Sequence, residues 1–234
     1  MTSHQQIRIL YSENLFPYPI KREKTMSTVA EQLAAREEES LMTELMAPPK
    51  PTPPTKLTLE QANKLAGGRP FELIQGRMVF KMPDNPHAES HALLGAELVN
   101  YFKANPIGRV RIESTVRLWP DNPHEGRVPD IAVVLNQNIR AGERYDTRAP
   151  DLAIEIISRD DAWSELFDKA DLYFEKGSRV VWFVDPYRKG VLVVTPDGQL
   201  WVKDTLTCPE LLPGFAVNVQ DIFVWPTAPT KAGK

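Results

Sequence analysis

The chain has 234 residues, of which 42% are hydrophobic and 25% charged, as in ordinary globular proteins. Its net charge of -3 excludes a polybasic nucleic-acid coat but not an enzyme that meets nucleic acid through metal ions. Because no apolar run approaches the ~18–20 residues of a membrane span, an integral membrane protein is excluded. The single cysteine, Cys208, excludes an intrachain disulfide and a cysteine zinc site, and we expect a cytoplasmic protein.

The beginning of the chain differs in composition from the rest. Residues 1–47 form a predicted N-terminal extension, poorly ordered except for a marginal helix over 27–46. Residues 48–55 contain five prolines and predict a stiff, extended linker. We therefore expect one domain over residues 56–226 and a flexible tail over 227–234. An alternative is that translation starts at Met26.

Capping and turn signals predict the first elements of the domain. Residues 58–61 match a capping box, which predicts a short helix ending at Gly67. Residues 71–82 are typical of a hairpin that turns at Gln75-Gly76. A longer helix is predicted over 85–104, because a proline lies in its first turn.

Apolar runs predict the central strands. Residues 110–119 alternate as a half-buried strand does, whereas 128–135 and 152–157 are nearly all apolar, as interior strands are. An amphipathic helix over 160–175 and two further strands joined by a turn at Asp185-Pro186 complete the pattern. The sequence thus predicts an α/β or α+β fold with a mixed central sheet.

Glu155 departs most clearly from a purely structural pattern. It lies within a predicted interior strand, on the same face as Ala153 and Ile157. An unpaired carboxylate there would cost roughly several kcal/mol, so it must be paired, protonated or bound to a metal. The structural alternative is a buried ion pair with an arginine.

Asp130 is the second candidate, at the start of another predicted interior strand. Two acids on neighbouring interior strands repel each other, and a hard cation such as Mg²⁺ relieves that repulsion. Lys169 shares a helix face with Leu166 and Tyr173, which would place its ammonium group near a phosphate or an attacking water. The alternative for Lys169 is a surface ion pair with Glu165.

The remaining polar candidates carry weaker signals. His87 and His91 have the i,i+4 spacing of some metal ligands, but His91 also fits the apolar stripe of its helix. Glu72 lies in the predicted hairpin and has no distinctive local signal.

These residues also match the pattern of a known family. Over roughly residues 57–225 the chain resembles the Uma family of restriction endonucleases, in the PD-(D/E)XK nuclease superfamily. The matching stretches are Phe71 to Gly76, Pro86 to His91, Pro129-Asp130, Pro150 to Ser158, the set Lys169, Tyr173, Gly177, Trp182, Asp185 and Pro186, and Leu212 to Phe215.

The resemblance implies a restriction-endonuclease-like α/β fold, with helices flanking the mixed sheet, and cleavage of DNA phosphodiester bonds with Mg²⁺ or Mn²⁺. It implies that Asp130, Glu155 and the Ile156 carbonyl hold the metal. Glu72 then becomes an additional catalytic acid. Lys169 becomes the catalytic lysine, moved from the superfamily's usual position two residues after the glutamate. The expectation of a homodimer, which would cut both strands, comes from the resemblance alone.

Two positions depart from the family pattern: Arg159 and Glu165 stand where proline and aspartate are usual. Two other functions stay open at this point. One is a catalytically inactive, nuclease-like module for DNA binding or protein assembly, pairing with a partner through residues 27–46. The other is a nuclease that recognises DNA structure, in repair or mobile-element processing.

Overall fold

The computed structural model describes residues 56–225 and Arg36. Apart from Arg36, the predicted extension, linker and tail lie outside the described residues, so their boundaries stay predictions. The helices of residues 56–225 are α1 (Leu59–Ala66), α2 (Asn85–Ala104) and α3 (Trp163–Glu175). The strands are β1 (Phe71–Ile74), β2 (Arg77–Phe80), β3 (Gly108–Ile112), β4 (Ile131–Leu135), β5 (Leu152–Ile156), β6 (Val180–Asp185), β7 (Gly190–Thr195), β8 (Gly198–Val202), β9 (Thr205–Cys208) and β10 (Leu212–Asn218).

A six-stranded mixed sheet, in the order β3-β4-β5-β6-β7-β8, forms the centre of residues 56–225. β5 and β6 run parallel, because α3 carries the chain back between them, and the other neighbours are antiparallel. β1–β2 and β9–β10 form separate hairpins. This mixed sheet flanked by helices confirms the predicted fold class. Among the described residues, no helix combines the length and the apolar character needed to cross a membrane.

The two faces of the sheet are covered by different elements. On one face, α2 and the β9–β10 hairpin pack against Ile154 and Ile156. On the other face, α3 packs against Ala153 and Ile157. The alternation of β5 places Glu155 on the same face as Ala153 and Ile157, as the sequence predicted, and the structure shows that α3 covers this face.

The predicted β1–β2 hairpin is confirmed, with its turn at Gln75 and Gly76. These residues have φ values of 51° and 79°, the left-handed conformation of the tight turns that suit a hairpin. Leu73 and Gly126 join the hairpin to the body of the domain through two backbone hydrogen bonds of 2.8 and 2.9 Å. This attachment carries Glu72 toward the sheet.

Several element boundaries differ from the predicted ones. Helix α1 has the predicted capping box, and α2 has the predicted bounds, with Asp84 as its N-cap, whose side chain accepts a hydrogen bond from the His87 amide. β4 and α3 begin at Ile131 and Trp163, later than the predicted 128 and 160.

The predicted strand over 110–119 is wrong in its second half. β3 ends before Glu113, whose φ of 46° breaks the extended backbone. Beyond that residue the chain changes sides: Val116 and Leu118 pack with the α3 core, whereas Val110 packs with the α2 core. Alternation of apolar residues does not reveal that one residue has a left-handed backbone conformation. The pattern therefore predicted one long strand where the structure has a shorter one.

Candidate active site

Asp130, the residue just before β4, lies opposite Glu155 of the adjacent strand β5. β4 and β5 pair antiparallel with Ile131 opposite Ile154, so the next opposed positions are Asp130 and Glu155. Their side chains are only 2% and 5% exposed. Like charges directly opposite each other destabilise a sheet, so a cation between the two ionised acids would stabilise this buried pair.

Lys81, which follows β2, supplies a positive charge between these two acids. Its Nζ lies 2.5 Å from Asp130 Oδ1 and 3.3 Å from Glu155 Oε2. Sequence reasoning missed this residue. In the sequence Lys81 is only a single charge between Phe80 and Met82, which is not a distinctive signal. The docking of the β1–β2 hairpin brings Lys81 to the sheet.

Lys169 connects Glu155 to a third acid, Glu72. Its Nζ lies 3.0 Å from both Glu72 Oε1 and Glu155 Oε2. Glu72 Oε1 also accepts a hydrogen bond of 3.0 Å from the Val128 amide, which holds the acid of the hairpin against the strand that leads into β4. Glu165, the alternative partner of Lys169, is exposed.

Helix α3 presents two polar groups to Glu155 from one face. Lys169 and Tyr173 are four residues apart, so both project toward the strand below. The Tyr173 hydroxyl donates a 2.7 Å hydrogen bond to Glu155 Oε1, and its side chain is fully buried. The cations that contact Glu155 are thus Lys81 and Lys169 rather than the arginine of the structural alternative.

Backbone and imidazole groups orient Asp130. The Ile156 amide donates a 2.7 Å hydrogen bond to Asp130 Oδ2, and His87 Nε2 lies 3.4 Å from the same oxygen. His91 Nε2 lies 2.9 Å from the backbone oxygen of Asp130. Both histidines of the i,i+4 pair therefore contact Asp130.

The two opposed acids have pKa values shifted in opposite directions. Burial alone would raise the pKa of Asp130, but the His87 hydrogen bond and the Lys81 ammonium outweigh it and hold the pKa below its ordinary value. For Glu155 burial prevails, and its pKa is raised although Lys169 and Lys81 favour the carboxylate. Asp130 therefore favours its ionised form, whereas burial favours the protonated form of Glu155.

The neighbouring groups are arranged to keep two positive charges in place. Burial opposes the charged form of both lysines, yet Glu155 and the other acids raise the pKa of Lys81 and of Lys169. Burial alone would raise the pKa of Glu72, but Lys169, Lys81 and the Val128 amide together outweigh it and lower that pKa. Burial and Glu155 raise the pKa of Tyr173, so its hydroxyl stays a hydrogen-bond donor.

The donor set fits a hard divalent cation. Asp130 and Glu155 direct one oxygen each at a single point where a positive group already lies. Mg²⁺ is commonly held by one or two carboxylates plus waters, and oxygen donors suit Mg²⁺ and Mn²⁺. Within residues 56–225 and Arg36, no cluster of three or more His, Cys, Asp or Glu side chains is arranged around a metal position.

Comparisons with known proteins give a family match and a structural match. The family model Uma2, described as "Putative restriction endonuclease", matches residues 59–220. A crystal structure described as "a putative nuclease belonging to DUF820", from Anabaena variabilis, is similar with a TM-score of 0.61 and 22% identity. The match covers 71% of this chain and 97% of that chain, and at this identity it supports the fold alone. The curated proteins contain no match.

Proposed function

The chain belongs to the Uma2 family, as its sequence predicted, and we propose that it hydrolyses DNA phosphodiester bonds with a divalent metal ion. One observation carries this proposal: a buried carboxylate on β5 directly faces a second one beside β4, and both contact one positive group. A protein built for stability alone gains nothing from opposing two buried acids, since a hydrophobic pair of similar volume would be as stable or more so.

In this proposal Asp130 and Glu155 hold Mg²⁺ or Mn²⁺, together with the carbonyl of Ile156. The backbone of Ile156 lies beside the acids, because its N–H donates a hydrogen bond to Asp130 Oδ2. When bound, the ion lowers the pKa of a coordinated water and offsets charge on the phosphate oxygens.

Lys169 is the proposed catalytic lysine. It is held between Glu72 and Glu155, so its ammonium group stays within the site and is not free to sample solvent. From there it orients the attacking water or neutralises the negative charge that develops in the transition state. Glu72 fixes the position of Lys169 and supplies the additional acid.

The remaining contacts set the directions of the metal-binding oxygens. Tyr173 holds Glu155 Oε1, which leaves Oε2 directed toward Asp130 and the lysines. His87 and the Ile156 amide hold Asp130 Oδ2, which leaves Oδ1 for the cation. Groups fixed before the substrate arrives cost no reorganisation during the reaction.

The test is cleavage of plasmid DNA in Mg²⁺ by the purified full chain. We expect Asp130→Ala, Glu155→Ala and Lys169→Met each to lower the rate by at least ~10²-fold, the usual effect of losing one electrostatic stabiliser. Glu165→Ala is the matched control, because this acid lies on α3 but is exposed. Equal cleavage by the wild type and by the Asp130→Ala and Glu155→Ala variants would remove the assignment.

A second candidate function is a nuclease-like binding module without catalysis. The observation in its favour is that lysines already compensate the opposed acids, so the described fold does not require a metal. Titration with Mn²⁺ by calorimetry separates the two functions, since a binding module needs no metal affinity at Glu155. The expected homodimer belongs to the nuclease proposal and is tested by sedimentation of the same protein.

A further inference from the structure

We propose that Lys81 occupies the metal position of this site, and that a divalent cation binds by displacing its ammonium group. The inference rests on the proposed metal-dependent nuclease function and adds a step to it. Lys81 then acts as a built-in competitor of the metal, which keeps the metal-free site neutralised and sets the affinity for the ion.

Two cations cannot share the same position. Lys81 Nζ is in direct contact with one oxygen of Asp130 and one of Glu155, at 2.5 and 3.3 Å. A Mg²⁺ ion needs the same two oxygens at about 2.0–2.1 Å. The ammonium group therefore has to leave before both carboxylates bind the ion.

Lys81 is placed where its side chain can move out of the site. It follows β2 in a connection, residues 81–84, that has no regular secondary structure before α2 begins. The next residue, Met82, is 89% exposed, and the side chain of Lys81 is itself 20% exposed. Lys169, by contrast, lies on α3 and is also paired with Glu72, which holds its ammonium group in the site.

The formal charges of the cluster also favour displacement. Three carboxylates and two ammonium groups form the cluster, which leaves one formal negative charge when all are ionised. If a divalent ion entered while Lys81 stayed, the cluster would carry one positive charge. If the ion replaces Lys81, the charges cancel, and a buried site favours the neutral arrangement.

The experiment is Mn²⁺ titration of the full chain by calorimetry, with Lys81→Met and Lys81→Arg compared with the wild type. Lys81→Met removes the competitor, and we expect its Kd for Mn²⁺ to fall at least about tenfold, because a close positive charge is lost from a cation site. Lys81→Arg retains the charge, and its planar fork grips two carboxylates more firmly, so we expect weaker Mn²⁺ binding. Lys103→Met, an exposed lysine on α2, controls for net charge and should stay within about twofold of the wild type.

The stability of the metal-free protein gives an independent readout. Without metal, Lys81→Met should melt at a lower temperature than the wild type, because Asp130 and Glu155 then face each other with one cation fewer. Saturating Mn²⁺ should restore more stability to this variant than to the wild type, since tighter binding to the native state stabilises it more. Lys81→Arg retains a buried counter-charge and serves if Lys81→Met fails to fold.

The outcomes separate this inference from the proposed function. If the wild type binds Mn²⁺ and Lys81→Met binds it no more tightly, the displacement is overturned while the nuclease proposal stands. If neither the wild type nor the Lys81 variants bind Mn²⁺, both are overturned. Tighter binding by Lys81→Met together with weaker binding by Lys81→Arg supports displacement.

Discussion

Asp130, the residue just before β4, lies opposite Glu155 of the antiparallel strand β5, and their carboxylates meet at the ammonium group of Lys81. The groups around the two acids shift their pKa values in opposite directions. Asp130 receives the Ile156 amide and the His87 ring, which favour its charge, whereas burial disfavours the charge of Glu155. This asymmetry leads to opposite stability effects at the two positions.

Asp130→Asn should destabilise the protein at neutral pH. Because the folded pKa of Asp130 is depressed, its carboxylate contributes stability that is present above the ordinary value of 3.8 and lost as pH falls through the folded pKa. We expect a loss of about 3 kcal/mol at pH 7, as for a buried charged group that loses its ionic hydrogen bonds. Urea unfolding from pH 7 to pH 3 should show the difference from the wild type shrinking below about pH 4, its ordinary titration range.

Glu155→Gln should stabilise the protein at neutral pH while removing metal binding. Its folded pKa is raised, so the protonated form is favoured, and that contribution is lost as pH rises from the ordinary value of 4.5 through the folded pKa. The amide avoids this loss, and Lys81 and Lys169 keep Asp130 and Glu72 as partners. Thermal melts should give a higher Tm at pH 7, by about 2–4 °C for each kcal/mol gained, and no gain below pH 4.5. A lower Tm at pH 7 would show that the ionised Glu155 stabilises the fold.

Tyr173→Phe should weaken the metal site without dismantling the fold. It removes the 2.7 Å hydrogen bond to Glu155 Oε1, and a bond to a charged group contributes about 1.5–3 kcal/mol. We expect a correspondingly lower free energy of unfolding and weaker Mn²⁺ binding, measured by urea unfolding and calorimetry. Tyr101→Phe is the control, because the Tyr101 hydroxyl donates to the exposed Pro213 carbonyl and has no role in the site. Unchanged Mn²⁺ affinity in Tyr173→Phe would mean that this hydroxyl does not orient Glu155.

Two glycines should respond to alanine in opposite ways. A Cβ at Gly190, in β7, would lie 2.5 Å from the ring of Trp201, so Gly190→Ala should cost about 1–3 kcal/mol through overpacking. A Cβ at Gly95, within α2, would meet Ile112 at an ordinary 3.5 Å. Gly95→Ala should therefore gain about 0.5–1 kcal/mol from the higher helix propensity of alanine. Chemical denaturation of the two variants side by side checks the contrast.

How far the sequence predicts this site depends on which contacts are local. Glu155 stands out in the sequence because a charge inside an apolar strand is anomalous, and strand alternation correctly placed it on the face of Ala153 and Ile157. Lys169 was placed on the buried helix face by its spacing from Tyr173. Each signal lies within a single strand or helix, where the periodicity determines which way a side chain points.

The parts that were missed depend on contacts between distant segments. Lys81 lies 49 residues from Asp130 and 74 from Glu155 along the chain. Its place in the site depends on the docking of the β1–β2 hairpin through Leu73 and Gly126. No periodic pattern reports such docking, and Glu72, in the same hairpin, entered through the family resemblance rather than through a local signal.

The central claim is that Asp130 and Glu155 together bind a divalent cation. A crystal structure of the protein grown with Mn²⁺, with anomalous diffraction data, tests it most directly. The account predicts a metal peak bonded to one oxygen of each acid at about 2.0–2.2 Å, with the Lys81 ammonium moved away. A map without such a peak at saturating Mn²⁺, in which Lys81 still bridges the two carboxylates, would contradict it.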